Sequence, residues 1–86
     1  MVKESDIKRK DLSTEAYRKE LDSMEMNERR VFEKLIDEKG DMLQASLIRH
    51  TGFSKVKMTR ILDRLERKDL IERKRRGMTN IVRIKQ

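Results

Sequence analysis

Residues 54–76 read SKVKMTRILDRLERKDLIERKRR, and the reading of this stretch decides the fold. Met58, Ile61, Leu62 and Leu65 fall at i, i+3, i+4 and i+7, so on a helix turning about 100° per residue they form one apolar stripe. Ser54 stands where an N-cap belongs, and the spacing predicts a helix over 54–68 that buries this stripe. The opposite face of its first two turns carries Val56, Lys57, Thr59 and Arg60. The basic run Arg73, Lys74, Arg75, Arg76 follows just past the helix. A helix with one apolar face and one cationic face has the form of an element that enters a DNA groove.

Working outward, only Gly52 and Phe53 separate this helix from Thr51, so the chain turns sharply there; glycine permits the positive φ such a turn demands, and Phe53 plugs the corner. Leu47 and Ile48 mark the inner face of a brief helix, Gln44–Thr51, which Gly52 ends. Residues 41–43 give a short extended link. Further upstream a helix is predicted over 28–39. Asn27 is its N-cap, with Met26 and Val31 at the two positions of a hydrophobic staple. Val31, Phe32, Leu35 and Ile36 supply its buried stripe, and Gly40 is its left-handed closing residue after Lys39. Downstream, segments 70–75 and 80–85 flank a tip of Arg76, Gly77, Met78 and Thr79 and predict a two-stranded hairpin. In the second segment Val82 and Ile84 alternate with Arg83 and Lys85, so one face packs and the other is charged.

At the amino end, residues 1–12 show no periodic face and read as a mobile leader. Tyr17, Leu21 and Met24 support a short amphipathic helix capped by Ser13 or Thr14. Two readings of that narrow stripe stay open: it folds back on its own core, or it pairs with a second copy as a homodimer. With no proline, internal repeat or low-complexity linker, no second domain boundary is indicated. Residues 1–24 form the polar leader and short helix, and 25–86 the main domain. The fold class is small α+β, a three-helix core with a two-stranded β-hairpin and an extra short N-terminal helix.

At 86 residues and 45% charged, the chain has room for one small core. It has no cysteine and a single histidine, His50, which excludes a disulfide scaffold, a cysteine nucleophile and the common zinc-finger ligand sets. No nucleophile and base pair or phosphate-cradling glycine loop is visible, so binding is expected rather than catalysis, with no cofactor or metal. No apolar run approaches the roughly 18 residues of a membrane span, and no signal peptide opens the chain, so a cytoplasmic location is expected, on the nucleoid when bound to DNA. The net charge of +7 is unevenly placed: residues 1–24 sum to 0, 25–43 to −2 and 44–86 to +9. The positive balance therefore belongs to the C-terminal half, the footprint of a surface made for a polyanion.

Residues 44–84, with the phrases QASLIRHTGFSKVKMTRILDRLERKDLIER and NIVRIK, resemble the winged helix-turn-helix of MarR-type and IclR-type transcriptional regulators. The resemblance implies a positioning helix, a recognition helix and a β-wing, sequence-dependent binding of double-stranded DNA, and action as a dimer. Asp69 stands where these families usually have glycine, and aspartate tolerates left-handed geometry better than most residues. Only residues 13–24 are available here as a dimerisation element.

On this reading Ser54 leaves a helix amino end open to a phosphate, besides serving as a cap. Lys55 and Lys57 meet phosphates, while Thr59 and Arg60 point outward one turn later, where Arg60 is the best candidate to read a guanine edge. The alternative for Arg60 is an ordinary surface pair with Asp63. Val56, almost opposite Met58, is suited to a thymine methyl. Arg73, Lys74, Arg75 and Arg76 crowd charge into a hairpin whose only adjacent acid is Glu72, so they call for a polyanion or else protect a strand edge. Arg64, Thr79 and Asn80 complete the candidate DNA-binding set. The rival function is a protein-interaction module of a larger assembly whose basic hairpin binds an acidic partner. RNA binding is disfavoured because Phe32 and Phe53 are assigned to the core, leaving no stacking platform.

Overall fold

The computed structural model describes residues 13–85; the leader expected over 1–12 lies outside the described residues. In order the elements are α1 (Arg18–Asp22), α2 (Met26–Asp37), β1 (Asp41–Leu43), α3 (Gln44–Thr51), α4 (Lys55–Arg67), β2 (Ile71–Arg76) and β3 (Thr79–Ile84). Among the described residues this is an α+β fold of four helices and one three-stranded antiparallel sheet. None of these helices is long and apolar enough to cross a membrane.

α4 forms where its stripe and cap predict. Ser54 holds an extended ψ of 162° and its Oγ accepts the Lys57 N–H at 3.0 Å, satisfying one of the first-turn donors. Met58, Ile61, Leu62 and Leu65 are all buried, each contributing about 1.5–3 kcal/mol of apolar transfer. The helix closes on Asp69 at φ 64°. The Asp69 N–H donates to Glu66 O at 3.0 Å and the Leu70 N–H to Leu65 O at 3.1 Å, the paired bonds of a Schellman end. Leu70 then packs against the core beside β2.

α2 begins two residues earlier than the sequence predicts. Its N-cap is Glu25, whose carboxylate accepts the Asn27 N–H at 3.3 Å, and Met26 is 76% exposed, so the expected staple onto Val31 is not made. The earlier start moves Glu28 from the first helical position to the third, still in the first turn, where a carboxylate suits the helix dipole and meets two cations of α4. At the other end the left-handed residue is Lys39 at φ 64°, one position before Gly40, which is itself at φ 101°. The Lys39 N–H reaches Ile36 O at 3.0 Å and the Gly40 N–H reaches Leu35 O at 2.7 Å.

The segment expected as a link is a strand. β1 pairs with β3 through Asp41↔Arg83, Met42↔Val82 and Leu43↔Ile81, so the sheet has the order β1-β3-β2 in place of a two-stranded hairpin. The added strand pairs the backbone edge that β3 would otherwise present, and it sinks Met42 into the core. β2 and β3 pair from Ile71↔Ile84 to Arg76↔Thr79 and turn through Gly77 and Met78. Gly77 at φ 63° supplies the positive φ that a two-residue hairpin needs at its first central position. Val82 and Ile84 are buried and Arg83 is exposed, as their alternation predicts.

α3 has its predicted limits. Gly52, at φ 74°, donates its N–H to Ile48 O at 2.9 Å, and the Thr51 hydroxyl bridges the turn by donating to Leu47 O and accepting from the Phe53 N–H. The N-terminal stripe resolves toward the first of its two readings. Tyr17, Leu21 and Met24 turn onto the chain's own core, with the Tyr17 ring edge-on to Phe32 at 5.1 Å between centroids. α1 is shorter than expected, and Ser13 instead accepts the Ala16 N–H at 3.1 Å in the turn ahead of it.

Candidate nucleic-acid interface

The exposed face of α4 follows from its stripe. With Met58, Ile61 and Leu62 pointing in, the intervening Lys55, Val56, Lys57 and Arg60 point out, and Val56 is 62% exposed. Thr59 is half-buried at the edge of this face. Among the described residues the side chains of Lys55 and Arg60 make no hydrogen bond or ion pair. Lys57 lies over the Phe53 ring, its Nζ 4.5 Å from the centroid, and Arg30 of α2 lies over the same ring at 5.1 Å. Phe53 is thus a half-buried corner piece that gathers two cations.

On β2 the two-residue period divides the basic run. Ile71, Arg73 and Arg75 share the face toward the helices, while Glu72, Lys74 and Arg76 share the other. Arg73 is drawn inward, its side chain only 19% exposed. It donates to Glu66 Oε1 through Nε at 3.2 Å and Nη2 at 2.6 Å, and to Asp63 Oδ1 at 2.5 Å. Burial alone lowers the pKa of this guanidinium, but the bonds to Glu66 and Asp63 outweigh it and hold the pKa above its ordinary value. The expectation that Glu72 is the hairpin's only acidic neighbour is therefore corrected: Arg73 finds two carboxylates on α4, seven and ten residues back. Asp63, the alternative partner of Arg60, is engaged by Arg73.

Arg64 is likewise held away from the exposed face. Its Nε donates to Glu28 Oε2 at 2.7 Å and its Nη2 to Glu25 Oε2 at 3.4 Å, while Lys68 Nζ donates to Glu28 Oε1 at 2.9 Å. Glu28 is 3% exposed. Burial pushes its carboxyl up, but the hydrogen bonds and charges of Lys68 and Arg64 outweigh that and hold it below its ordinary value.

The remaining candidates converge. Lys55 and Arg75 face a groove between the amino ends of α3 and α4 and the hairpin, with Thr79 and Asn80 on the hairpin side and Gln44 and Ala45 on the α3 side. Asn80 Nδ2 donates to Gln44 Oε1 at 3.2 Å, tying β3 to the start of α3. Met78, fully exposed at the hairpin tip, also borders this groove. Sequence reasoning did not single out Gln44, Met78 or Arg30 for this surface. A lone glutamine at a helix start and an arginine on a solvated helix face carry no periodic or motif signal, and the sequence marks Met78 only as part of the turn.

The molecule is thus a small α+β domain in which six cations without a carboxylate partner among the described residues lie on the first turns of one helix and on a neighbouring hairpin. Over residues 24–85 the chain matches the family described as a domain of unknown function, DUF7343, and it belongs to that family. No curated protein and no solved structure matches it.

Proposed function

We propose that this is a winged helix-turn-helix domain that binds double-stranded DNA with sequence dependence and serves transcription regulation, without catalysis. In this reading α3 positions α4, α4 enters the major groove with Arg60 toward a base edge, and the β2–β3 hairpin is the wing on the backbone. One observation carries it. Of the acids near the basic surface, Asp63 and Glu66 are engaged by Arg73 and Asp69 by Lys85 at 2.6 Å, which leaves Glu72 of β2 as the one acid beside the run. Lys55, Lys57, Arg60, Lys74, Arg75 and Arg76 are left without a carboxylate partner among the described residues. Six such cations on two neighbouring elements repel one another in the free protein, and a line of phosphates relieves that repulsion.

A homodimer through residues 13–24 gains no support from this arrangement, because the stripe that would form it is buried in its own core. The cytoplasmic, nucleoid-associated location goes with the DNA-binding reading and stands or falls with it. Fluorescence anisotropy with random-sequence duplex DNA and with single-stranded RNA, at two salt concentrations, is the test. Duplex binding that weakens steeply with salt and exceeds RNA binding is expected. No duplex binding at low salt would transfer the hairpin's cations to the rival role, contact with an acidic protein partner.

A further inference from the structure

Val56 is the one apolar residue of α4 outside the buried stripe: Met58, Ile61, Leu62 and Leu65 turn inward, while Val56 is 62% exposed. Nothing local accounts for it. Valine is a poorer helix former than lysine, arginine or alanine because its branched Cβ loses χ1 freedom, and an exposed site offers no packing to offset that. Nor does it staple the helix entry, since the two positions that do so around the Ser54 cap belong to Phe53 and Met58. Its neighbours define what it faces. Lys55 and Lys57 stand about 100° to either side of it around the helix, and they diverge. Lys57 lies over the Phe53 ring, and Lys55 borders the groove toward the hairpin. Arg60 follows one turn later on the same side. An apolar side chain centred among these three cations, none with a carboxylate partner among the described residues, matches a surface that is anionic on its flanks and apolar in its middle. A major groove has that form where phosphates line its two edges and a pyrimidine methyl stands on its floor.

We infer that Val56 reads the C5 methyl group of a pyrimidine in the major groove, with Lys55 and Lys57 on the flanking phosphates. The assignment rests on the DNA-binding reading and deepens it by naming the base feature that α4 selects. Thymine carries this methyl and cytosine does not; 5-methylcytosine carries it at the same place, so the chemistry has two sources. Val56 and Arg60 together set a spacing. Side chains at i and i+4 stand about 5–6 Å apart along a helix, and base steps rise about 3.4 Å, so the methyl lies within about two base pairs of the guanine that Arg60 meets.

The experiment selects a preferred duplex from a random pool with the full chain, then replaces each thymine of that duplex in turn with deoxyuridine, which lacks only the methyl. Affinities are compared for the natural protein and for Val56→Ala, a change at an exposed position that favours the helix and is expected not to lower the melting temperature. At one thymine, loss of the methyl is expected to weaken binding by the natural protein about fourfold, the size expected for burying one methyl group. Val56→Ala is expected to bind the thymine duplex as weakly as the natural protein binds the deoxyuridine duplex, and not to respond to the replacement. Cytosine and 5-methylcytosine at the same position separate the sources: a methyl effect there as well makes the methyl group itself the ligand, and an effect with thymine alone supports the assignment for thymine. No preferred sequence from the pool, no methyl effect in the natural protein, or a methyl effect that survives in Val56→Ala overturns the assignment while duplex binding itself stands. Absence of duplex binding overturns both readings and gives this face of α4 to an acidic protein partner.

Discussion

Arg64 of α4 donates through Nε to Glu28 of α2 at 2.7 Å, across 36 residues of chain, and that bond fixes the amino end of one helix against the carboxyl half of the other. Glu28 is buried while Arg64 and Lys68 remain about two-fifths exposed, so the carboxylate bears the desolvation and the cations can return to water if it is removed. Glu28→Gln is therefore expected to cost about 1–3 kcal/mol at neutral pH, below the usual cost of stranding a fully buried charge. Its pH dependence has a definite sign. The folded carboxyl titrates below the ordinary value of 4.5, so the contribution is fully present above that value and is lost as pH falls through the lower folded value. Urea denaturation of both proteins across this range should show a gap that is constant near neutrality and closes in acid. A gap that persists unchanged into strong acid would remove the charge from the explanation.

The two left-handed helix ends make a second expectation. Lys39 and Asp69 both sit at φ 64°, a conformation that costs most L-residues about 1–2 kcal/mol, only partly offset by the greater chain entropy glycine loses on folding. Lys39→Gly is expected to stabilise the fold by about 1 kcal/mol, raising the melting temperature by roughly 4–8 °C for a domain of this size. Asp69→Gly should gain less, because it also gives up the exposed contact to Lys85. Gly40→Ala, at φ 101°, should lose stability. A drop in melting temperature for Lys39→Gly would mean that its side chain contributes something the backbone argument omits.

What the sequence made legible divides along the range of the interactions. α4 could be read because a cap and four apolar residues at helical spacing are local facts, and α3 because Gly52 ends it within the same few residues. β1 could not: three residues with one buried methionine display no alternation, and their pairing partner Arg83 lies 42 residues away. The predicted start of α2 differs because asparagine is the better intrinsic cap, while the contacts that Glu25 and Glu28 make at the observed start come from Arg64 and Lys68 of a distant helix. The same limit applies to the site. Lys55, Arg60 and Arg75 were found from charge and helical phase, but which arginines are already paired depends on how β2 lies against α4, and Gln44 announces itself only through burial.

Arg73 gives the third prediction, because its placement separates stability from binding. It is the one member of the basic run that two carboxylates hold, so Arg73→Ala leaves Asp63 and Glu66 facing each other without a cation and should cost about 1–3 kcal/mol in denaturant unfolding. If the domain binds duplex DNA, the salt slope of log K should stay near the wild-type value in this variant, since Arg73 neutralises no phosphate. A loss of slope equal to that of a wing-tip arginine would place Arg73 on the DNA and its carboxylate contacts in the free protein alone.

The last prediction contrasts the unpaired cations on the two elements. Arg75 and Arg76 lie on opposite faces of β2 next to its tip, both exposed and without carboxylate partners among the described residues. On the DNA-binding reading they meet phosphates, which repeat in every sequence. Changing both to alanine should weaken all duplexes alike and reduce the salt slope by about two. Arg60 projects from the exposed face of α4, and Asp63, its nearest acid on the helix, is engaged by Arg73. Free of that partner, it can present its planar fork to the two acceptors of a guanine edge. Arg60→Ala should then cost about 1–3 kcal/mol on a preferred duplex and much less on a scrambled one, relaxing selection at one position. Titrations of both variants on a selected and a scrambled duplex, over several salt concentrations, distinguish the roles. Equal weakening of both duplexes by Arg60→Ala, with a shift in salt slope, would make Arg60 another phosphate contact. No effect of either change on duplex affinity would move the basic surface to a protein partner.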